Sequence, residues 1–285
     1  MPTNPPTSDS APRLAVRKTY KLFIGGKFPR SESGRSYVVQ NTNVALASRK
    51  DVRDAVVAAR AAVRPWSGAT AYNRGQILYR IAEMLEGRRE QFAAELGGGQ
   101  RALSEVDSAI DRWVWYAGWS DKIAQVYGGA NPVAGPYFNL SAPESTGVVG
   151  IVAPAEPALL GLVSVVAPAI VTGNTVVVLA SETHPLPAIT LAEVLATSDL
   201  PGGVVNLLTG RVAETAPWLA SHMDVNAIDL AGVADETLAT DLEVAAAENL
   251  KRVVRPGRVD WTADPGIDRM VPFLETKTVW HPKGI

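Results

Sequence analysis

The chain of 285 residues contains no cysteine. Disulfide bonds, thiolate metal sites and cysteine nucleophiles are therefore excluded from the chemistry of this polypeptide. Histidine is also scarce, since the sequence has only His184, His222 and His281. A metal site built from several imidazole groups is therefore not expected.

An excess of charge of one sign and a long hydrophobic run are missing as well. The 27 basic and 29 acidic residues leave a formal net charge of -2, which argues against a nucleic-acid partner or a polybasic membrane patch. The most apolar stretch, residues 147–172, is interrupted by prolines and carries Glu156, so it predicts no membrane span. Residues 1–15 are rich in Pro, Ser and Thr and predict a disordered tail without a signal peptide. The sequence favours a cytoplasmic protein.

Strands and helices alternate in the second half of the chain. The predicted strands are apolar along their whole length, which is typical of a parallel sheet covered on both faces. Such sheets bind ligands at the carboxyl ends of their strands. The sequence therefore predicts an α/β fold with a doubly wound parallel sheet. The five predicted strands are Val148–Ala153, Asn174–Leu179, Val204–Leu208, Ala227–Leu230 and Lys251–Val254.

Helical periodicity dominates the region before the sheet. One helix starts behind a capping box at Ser48 to Asp51, a second covers Asn73–Leu96 and a third covers Glu105–Val126. The third helix is unusually aromatic, which is compatible with stacking on a cofactor, but core packing is the favoured interpretation. Its aromatic residues are Trp113, Trp115, Tyr116 and Trp119.

Three segments fall outside this alternation. Residues 128–146 carry Gly, Asn and Pro and predict an extended arm. Residues 255–270 are polar, contain two Pro-Gly pairs and show no periodicity, so they predict a linker. Phe273–Trp280 regains strand character.

Several motifs, in this order, resemble the aldehyde dehydrogenase superfamily. They are KLFIGGKF from Lys21, GVVGIVAP from Gly147, GNTVVVLASE from Gly173, LPGGVVNLLTG from Leu200, SHMDV from Ser221, AENLKRVV from Ala247 and KTVWHP from Lys277. The resemblance implies a Rossmann-like NAD-binding domain at 16–127 and 147–254, and an oligomerisation element at 128–146 and 271–285. It also implies NAD(P)-dependent oxidation of an aldehyde to an acid through a thioester.

The parts that perform this reaction are missing from the sequence. In the family, the catalytic domain with its cysteine lies between the fifth strand and the terminal strand, where this chain has only residues 255–270. We interpret this as an internal replacement of the catalytic domain. Glu156 stands where the resemblance places an oxyanion-stabilising Asn, and Arg255 follows the strand after which the general base is expected. We therefore predict no catalytic residue and no enzyme activity for this chain alone.

The cofactor-binding positions are partly preserved. The resemblance assigns them to Ile151, Ala153, Pro154, Ser181, Glu182 and Gly232. Leu179 stands where the family has a ribose-binding Lys, and Val233 replaces a Ser at the phosphate-facing helix. We expect no bound cofactor, with NAD(P) binding as the alternative. Glu156 is interpreted as a solvated loop carboxylate. Ser221, His222 and Asp224 are interpreted as structural residues and not as a hydrolytic triad.

The remaining features predict association with another protein. In the family the terminal strand extends the sheet of a neighbouring subunit, which assigns interface residues Thr276, Lys277, Thr278, Val279 and Trp280 here. A full-length aldehyde dehydrogenase paralogue is the predicted partner in a hetero-oligomer. Two alternatives stay open: a nucleotide-binding or sensing module without catalysis, and an aldehyde dehydrogenase with residual activity.

Overall fold

A computed structural model describes residues 17–284. The predicted tail at 1–15 and the last residue, Ile285, lie outside the described residues. None of the helices within 17–284 combines the length and the apolar character that crossing a membrane requires.

The described chain forms eleven strands, nine α-helices and one short 3₁₀ helix at Val271–Phe273. The strands are β1 (Thr19–Tyr20), β2 (Ser36–Val39), β3 (Thr42–Ala45), β4 (Gly129–Asn131), β5 (Tyr137–Ser145), β6 (Val148–Val152), β7 (Thr175–Leu179), β8 (Val205–Leu208), β9 (Ala227–Asp229), β10 (Arg252–Val254) and β11 (Leu274–Pro282). The helices are α1 (Arg49–Ser67), α2 (Ala71–Glu86), α3 (Arg89–Glu95), α4 (Gly99–Trp119), α5 (Ile123–Tyr127), α6 (Leu160–Val171), α7 (Leu186–Leu195), α8 (Val212–Ala220) and α9 (Glu236–Ala247).

The central sheet is parallel, with strand order β10-β9-β6-β7-β8. Its middle strands are buried at every position, which explains why β6 and β7 are apolar apart from Thr175. Alternate residues of β6 pack on opposite sides: Val149 contacts the layer of α2, α4, α6 and α7, and Val148 contacts the layer of α1, α8 and α9. The predicted α/β fold with a doubly wound sheet is therefore confirmed.

The helices before the sheet differ from the prediction in their boundaries. The single helix predicted over Asn73–Leu96 is wrong, because α2 ends at Glu86 and α3 starts at Arg89. The next helix starts at Gly99 and not at Glu105, since Gly97 and Gly98 turn the chain with positive φ values of 95° and 75°.

The aromatic side chains of α4 lie in the core. Trp113 and Tyr116 are fully buried, and Trp115 and Trp119 pack against the same cluster. The predicted helix over Glu105–Val126 is divided into α4 and α5. These aromatic residues stabilise the layer that covers the sheet, as the core interpretation predicted.

A separate sheet joins the arm to the terminal strand. Its order is β11-β5-β4, and β11 pairs with β5 over its whole length, from Leu274 opposite Ser145 to Pro282 opposite Tyr137. The two segments predicted at 128–146 and 271–285 are thus one antiparallel unit, which we call the arm sheet. Phe273 precedes the strand and is buried in the 3₁₀ helix.

Residues 255–270 contain no helix or strand, as predicted, but they are not a free linker. Met270 is fully buried, and Trp261 and Ile267 pack against the main core cluster. The prediction missed this packing because three scattered apolar side chains in a polar stretch give no periodic signal.

Candidate functional site

The loops after β6, β7 and β9 meet at the carboxyl end of the sheet, where a doubly wound fold places its ligand. The hydroxyl of Ser181 donates to the carbonyl of Ala155 at 3.2 Å, and the N–H of Gly232 donates to the carbonyl of Val152 at 2.9 Å. The side chain of Ile151 lies inside the core and is fully buried. The predicted positions are therefore close together, but the polar groups of Ser181 and Gly232 bond to backbone carbonyls of the neighbouring loop and strand.

The carboxylate of Glu182 bonds to the N-terminus of α8. Its carboxylate accepts a hydrogen bond from the N–H of Val212 at 2.5 Å and pairs with Arg211 at 3.2 Å. A carboxylate at a helix N-terminus is stabilised by the free N–H groups and by the helix dipole. Glu182 therefore serves as a cap for α8 in this structure.

The N-terminus of α9 also bonds to a carboxylate of the chain. The Oδ1 atom of Asp235 accepts from the N–H groups of Thr237 at 2.8 Å and Leu238 at 3.2 Å. The next residue, Glu236, pairs with Arg255, which also reaches Glu243 at 2.7 Å. This helix N-terminus therefore carries two carboxylates of its own chain.

Gly232 lies in direct backbone contact with the end of β6. A Cβ atom added at this position would lie 2.0 Å from the carbonyl oxygen of Ala153 and 2.8 Å from that of Val152. Only glycine fits such a contact without moving the backbone.

Glu156 is mostly in solvent, with 68% of its side chain exposed and one carboxylate oxygen 3.9 Å from Nδ1 of His184. That nitrogen lies 3.1 Å from the hydroxyl of Thr183, which competes for it. The position supports the interpretation of Glu156 as a solvated loop carboxylate.

A cleft of about 880 Å³ opens beside Glu156. One wall is α4, another is the loop that leads into α6, and the third is formed by residues 258–262. Glu105 in this cleft accepts from the N–H of Leu159 at 2.8 Å and so caps α6. Sequence reasoning missed this cleft, because one wall belongs to the segment predicted as a linker.

The segment 255–270 is held to the domain by two arginines, of which one is buried and the other is partly buried. Arg112 of α4, which is 7% exposed, donates to the carbonyl oxygens of Trp261 at 2.9 Å and Ala263 at 3.0 Å, and to the hydroxyl of Ser164 at 2.8 Å. It thereby links α4, α6 and the segment.

The second arginine belongs to the segment itself. Arg269 reaches the fully buried carboxylate of Asp229, the last residue of β9, at 2.6 Å. Burial raises the pKa of Asp229, and the charge of Arg269 acts in the opposite direction. Sequence reasoning missed this ion pair.

Ser221, His222 and Asp224 do not form a triad. The hydroxyl of Ser221 donates to the carbonyl of Pro217 at 2.7 Å, and Nδ1 of His222 accepts from the N–H of Asp224 at 3.2 Å. Within residues 17–284, no group of His, Asp and Glu side chains is arranged to hold a metal ion.

Known proteins share this arrangement of sheet and helices. The sequence profile of the aldehyde dehydrogenase family matches residues 35–255. The chain belongs to the aldehyde dehydrogenase family. It is 34% identical over 249 residues to aldehyde dehydrogenase, cytosolic 1, of Elephantulus edwardii. This match covers 82% of this chain and 49% of that protein. It is 34% identical over 258 residues to retinal dehydrogenase 2 of Homo sapiens. This match covers 85% of this chain and 49% of that protein.

A solved aldehyde dehydrogenase has the same fold over the matched part. The NAD+ complex of the enzyme from Bacillus cereus aligns with a TM-score of 0.77 and 26% identity, over 83% of this chain and 50% of that chain. The chain spans about half the length of the relatives that it matches.

The residues at the carboxyl end of the sheet do not fit the NAD(P) that aldehyde dehydrogenases use. A pyrophosphate needs free N–H groups at a helix N-terminus, but Asp235 accepts from those of α9, and the N–H of Gly232 bonds to Val152. Glu182 is bonded to α8, and Leu179, where the sequence resemblance leads us to expect a ribose-binding Lys, is a buried apolar side chain. These motif residues therefore make their polar contacts within the fold.

Proposed function

We propose that this chain is a non-catalytic member of the aldehyde dehydrogenase family that associates with a full-length aldehyde dehydrogenase as a structural or regulatory subunit. The active partner would carry out the NAD(P)-dependent oxidation of an aldehyde to an acid. This chain would supply the retained sheet and the arm sheet.

The absence of cysteine from all 285 residues carries the proposal. The thioester chemistry of the family begins with a thiolate, and no other side chain in this sequence replaces it as a soft nucleophile. The position of the oxyanion-stabilising Asn is taken by the exposed Glu156, and an ionised carboxylate repels a developing oxyanion.

The arm sheet supports the choice of a protein partner. The outer edge of β11 has no neighbouring strand within the described residues, and Trp280 is 56% exposed. Phe138 of β5 is 57% exposed on the same sheet. Natural proteins cover or interrupt long exposed strand edges, because such edges pair with other chains. A sheet of another subunit that accepts β11 would remove this exposure.

The two alternatives have less support from the geometry. A nucleotide-sensing module needs the N–H groups that Asp235 and Val152 occupy. An aldehyde dehydrogenase with residual activity needs a nucleophile that the sequence lacks.

Co-expression of the tagged chain with a full-length aldehyde dehydrogenase from the same genome tests the proposal. We expect the two chains to co-purify in a fixed ratio by native mass spectrometry. The variant Val279→Asp places a charge on β11 and should abolish co-purification. Val38→Asp, at an exposed position on β2, is the matched control and should not. A full-length enzyme that assembles normally and never retains this chain would contradict the proposal.

A further inference from the structure

We propose that, in the absence of another partner, a second copy of this chain pairs with the outer edge of β11. The product is a dimer with a two-fold axis at Thr278 and a continuous antiparallel sheet of six strands, three from each copy. The proposal concerns the same strand edge as the proposed function but does not depend on it.

The hydrogen-bond ladder of the arm sheet fixes which backbone groups of β11 point outward. The N–H of Thr146 bonds to the carbonyl of Phe273 at 3.2 Å, and the N–H of Lys283 bonds to the carbonyl of Pro136 at 2.7 Å. Both contacts continue the register of β11 with β5, so the odd-numbered residues of β11 bond to β5. The even-numbered residues therefore direct their N–H and C=O groups away from β5.

At each end of this outer edge, one backbone group is unavailable for pairing with another strand. The carbonyl of Leu274 accepts from Arg252 at 2.8 Å, and Pro282 has no N–H group. The groups available for pairing are those of Thr276, Thr278 and Trp280.

These three residues are symmetric about Thr278, which selects the register. An antiparallel two-fold pairing at Thr278 places Thr276 of each copy opposite Trp280 of the other and Thr278 opposite itself. The three N–H groups of each copy then find three carbonyls of the other, which gives six hydrogen bonds in all. An axis at Thr276 or at Trp280 would need the occupied carbonyl of Leu274 or the missing N–H of Pro282.

The side chains agree with this register. One face brings Thr276 against Trp280 and Thr278 against Thr278, both favourable cross-strand pairs. The hydroxyl of Thr278 already lies 2.9 Å from that of Ser141, so the symmetric contact extends an existing polar row. The other face brings Glu275 against His281 and Lys277 against Val279, so no like charges lie opposite each other.

The bodies of the two copies lie at opposite ends of the shared sheet in this arrangement. The central sheet meets β11 at its first residues, where Arg252 contacts Leu274 and Glu275. The two-fold axis reverses the second strand, so its body lies at the opposite end of the shared sheet. The nine residues of β11 separate the two ends by roughly 30 Å.

Cross-linking through an introduced thiol tests the axis directly, because the chain has no cysteine of its own. In a hydrogen-bonded antiparallel pair the two Cα atoms lie about 5.5 Å apart, within the range of a disulfide. Mild oxidation should convert Thr278→Cys mostly to a covalent dimer. Thr262→Cys, in the exposed part of the segment 255–270, should stay mostly monomeric.

Sedimentation of chains that are not cross-linked provides the second test. The wild-type chain and Thr278→Val should sediment as dimers. Thr278→Lys should sediment as a folded monomer, since it sets two positive charges opposite each other at the axis, and circular dichroism verifies its fold. A wild-type chain that sediments as a monomer would overturn the proposal. So would a dimer that persists in Thr278→Lys and that Thr278→Cys does not cross-link. Either result leaves co-purification with a full-length enzyme as a separate outcome.

Discussion

Arg269 places its guanidinium 2.6 Å from the carboxylate of Asp229, and this carboxylate has no exposed surface. The pair connects the segment 255–270 to the end of β9. Together with the contacts of Arg112 to Trp261 and Ala263, it fastens this segment to the domain.

Replacing Arg269 with Met should strongly destabilise the protein, because it leaves the buried charge of Asp229 without a partner. Removing one member of a buried ion pair typically costs about 3–5 kcal/mol. We expect a loss of this order in the free energy of unfolding, measured by urea denaturation. The double variant Asp229→Leu/Arg269→Met should recover most of it, since an apolar pair of similar volume leaves no buried charge.

Arg80→Met is the control for this substitution. Arg80 pairs with Glu83 at 3.4 Å, and both side chains are about half exposed. The loss of an exposed pair costs about 1 kcal/mol or less. Equal effects of the Arg269 and Arg80 substitutions would show that the buried pair does not hold the segment.

Gly232→Ala should destabilise the fold through a steric clash. The added methyl group would lie 2.0 Å from the carbonyl oxygen of Ala153, so the backbone of one loop must move. Overpacking of this kind costs about 1–3 kcal/mol. At Gly257 an added Cβ meets no atom within 4 Å, so Gly257→Ala is the matched control and should change the melting temperature little. A normal melting temperature for Gly232→Ala would contradict the loop contact.

Lys251 should make stability depend on pH. Burial lowers the pKa of Lys251 to about 8, and the charge of Glu248 acts in the opposite direction. An unfolded lysine keeps its proton up to about pH 10.4. Between these values the unfolded chain binds more protons than the folded chain, so the free energy of unfolding should rise with pH.

The variant Lys251→Met isolates this effect. The difference in unfolding free energy between wild type and variant should increase in favour of the wild type from about pH 8 to about pH 10. Urea denaturation at several pH values measures this difference. A difference that stays constant over this range would disprove the role of Lys251.

NAD and NADP should not stabilise the protein. A ligand at 100 times its dissociation constant raises the free energy of unfolding by about 2.7 kcal/mol, which a thermal-shift experiment detects. Because carboxylates and carbonyls of the chain occupy the N–H groups near Gly232 and α9, we expect no shift with either dinucleotide. A saturable shift would instead favour the nucleotide-sensing alternative.

The central sheet could be predicted because its signals are local. Each strand is a continuous apolar run such as Val148–Val152, and each connection has the length and periodicity of a helix. The capping box at Ser48 is also a local pattern, and the structure shows both of its hydrogen bonds.

The contacts of the segment 255–270 could not be predicted, because they are long-range. Asp229 and Arg269 are 40 residues apart, and neither lies in a motif. Residue types also did not show that Glu182 and Asp235 would cap helices, since a carboxylate beside a glycine-containing loop is equally compatible with ligand binding. The family resemblance located Glu182 but not Asp235, and only the geometry shows what the two carboxylates contact.

Aldehyde oxidation by the purified chain is the most direct test of the central claim that this family member is not an enzyme by itself. The assay follows the formation of NADH and NADPH with short aliphatic and aromatic aldehydes, beside a full-length aldehyde dehydrogenase as the positive control. We predict no formation above the protein-free rate. Sustained turnover that remains with the chain through purification would contradict the account.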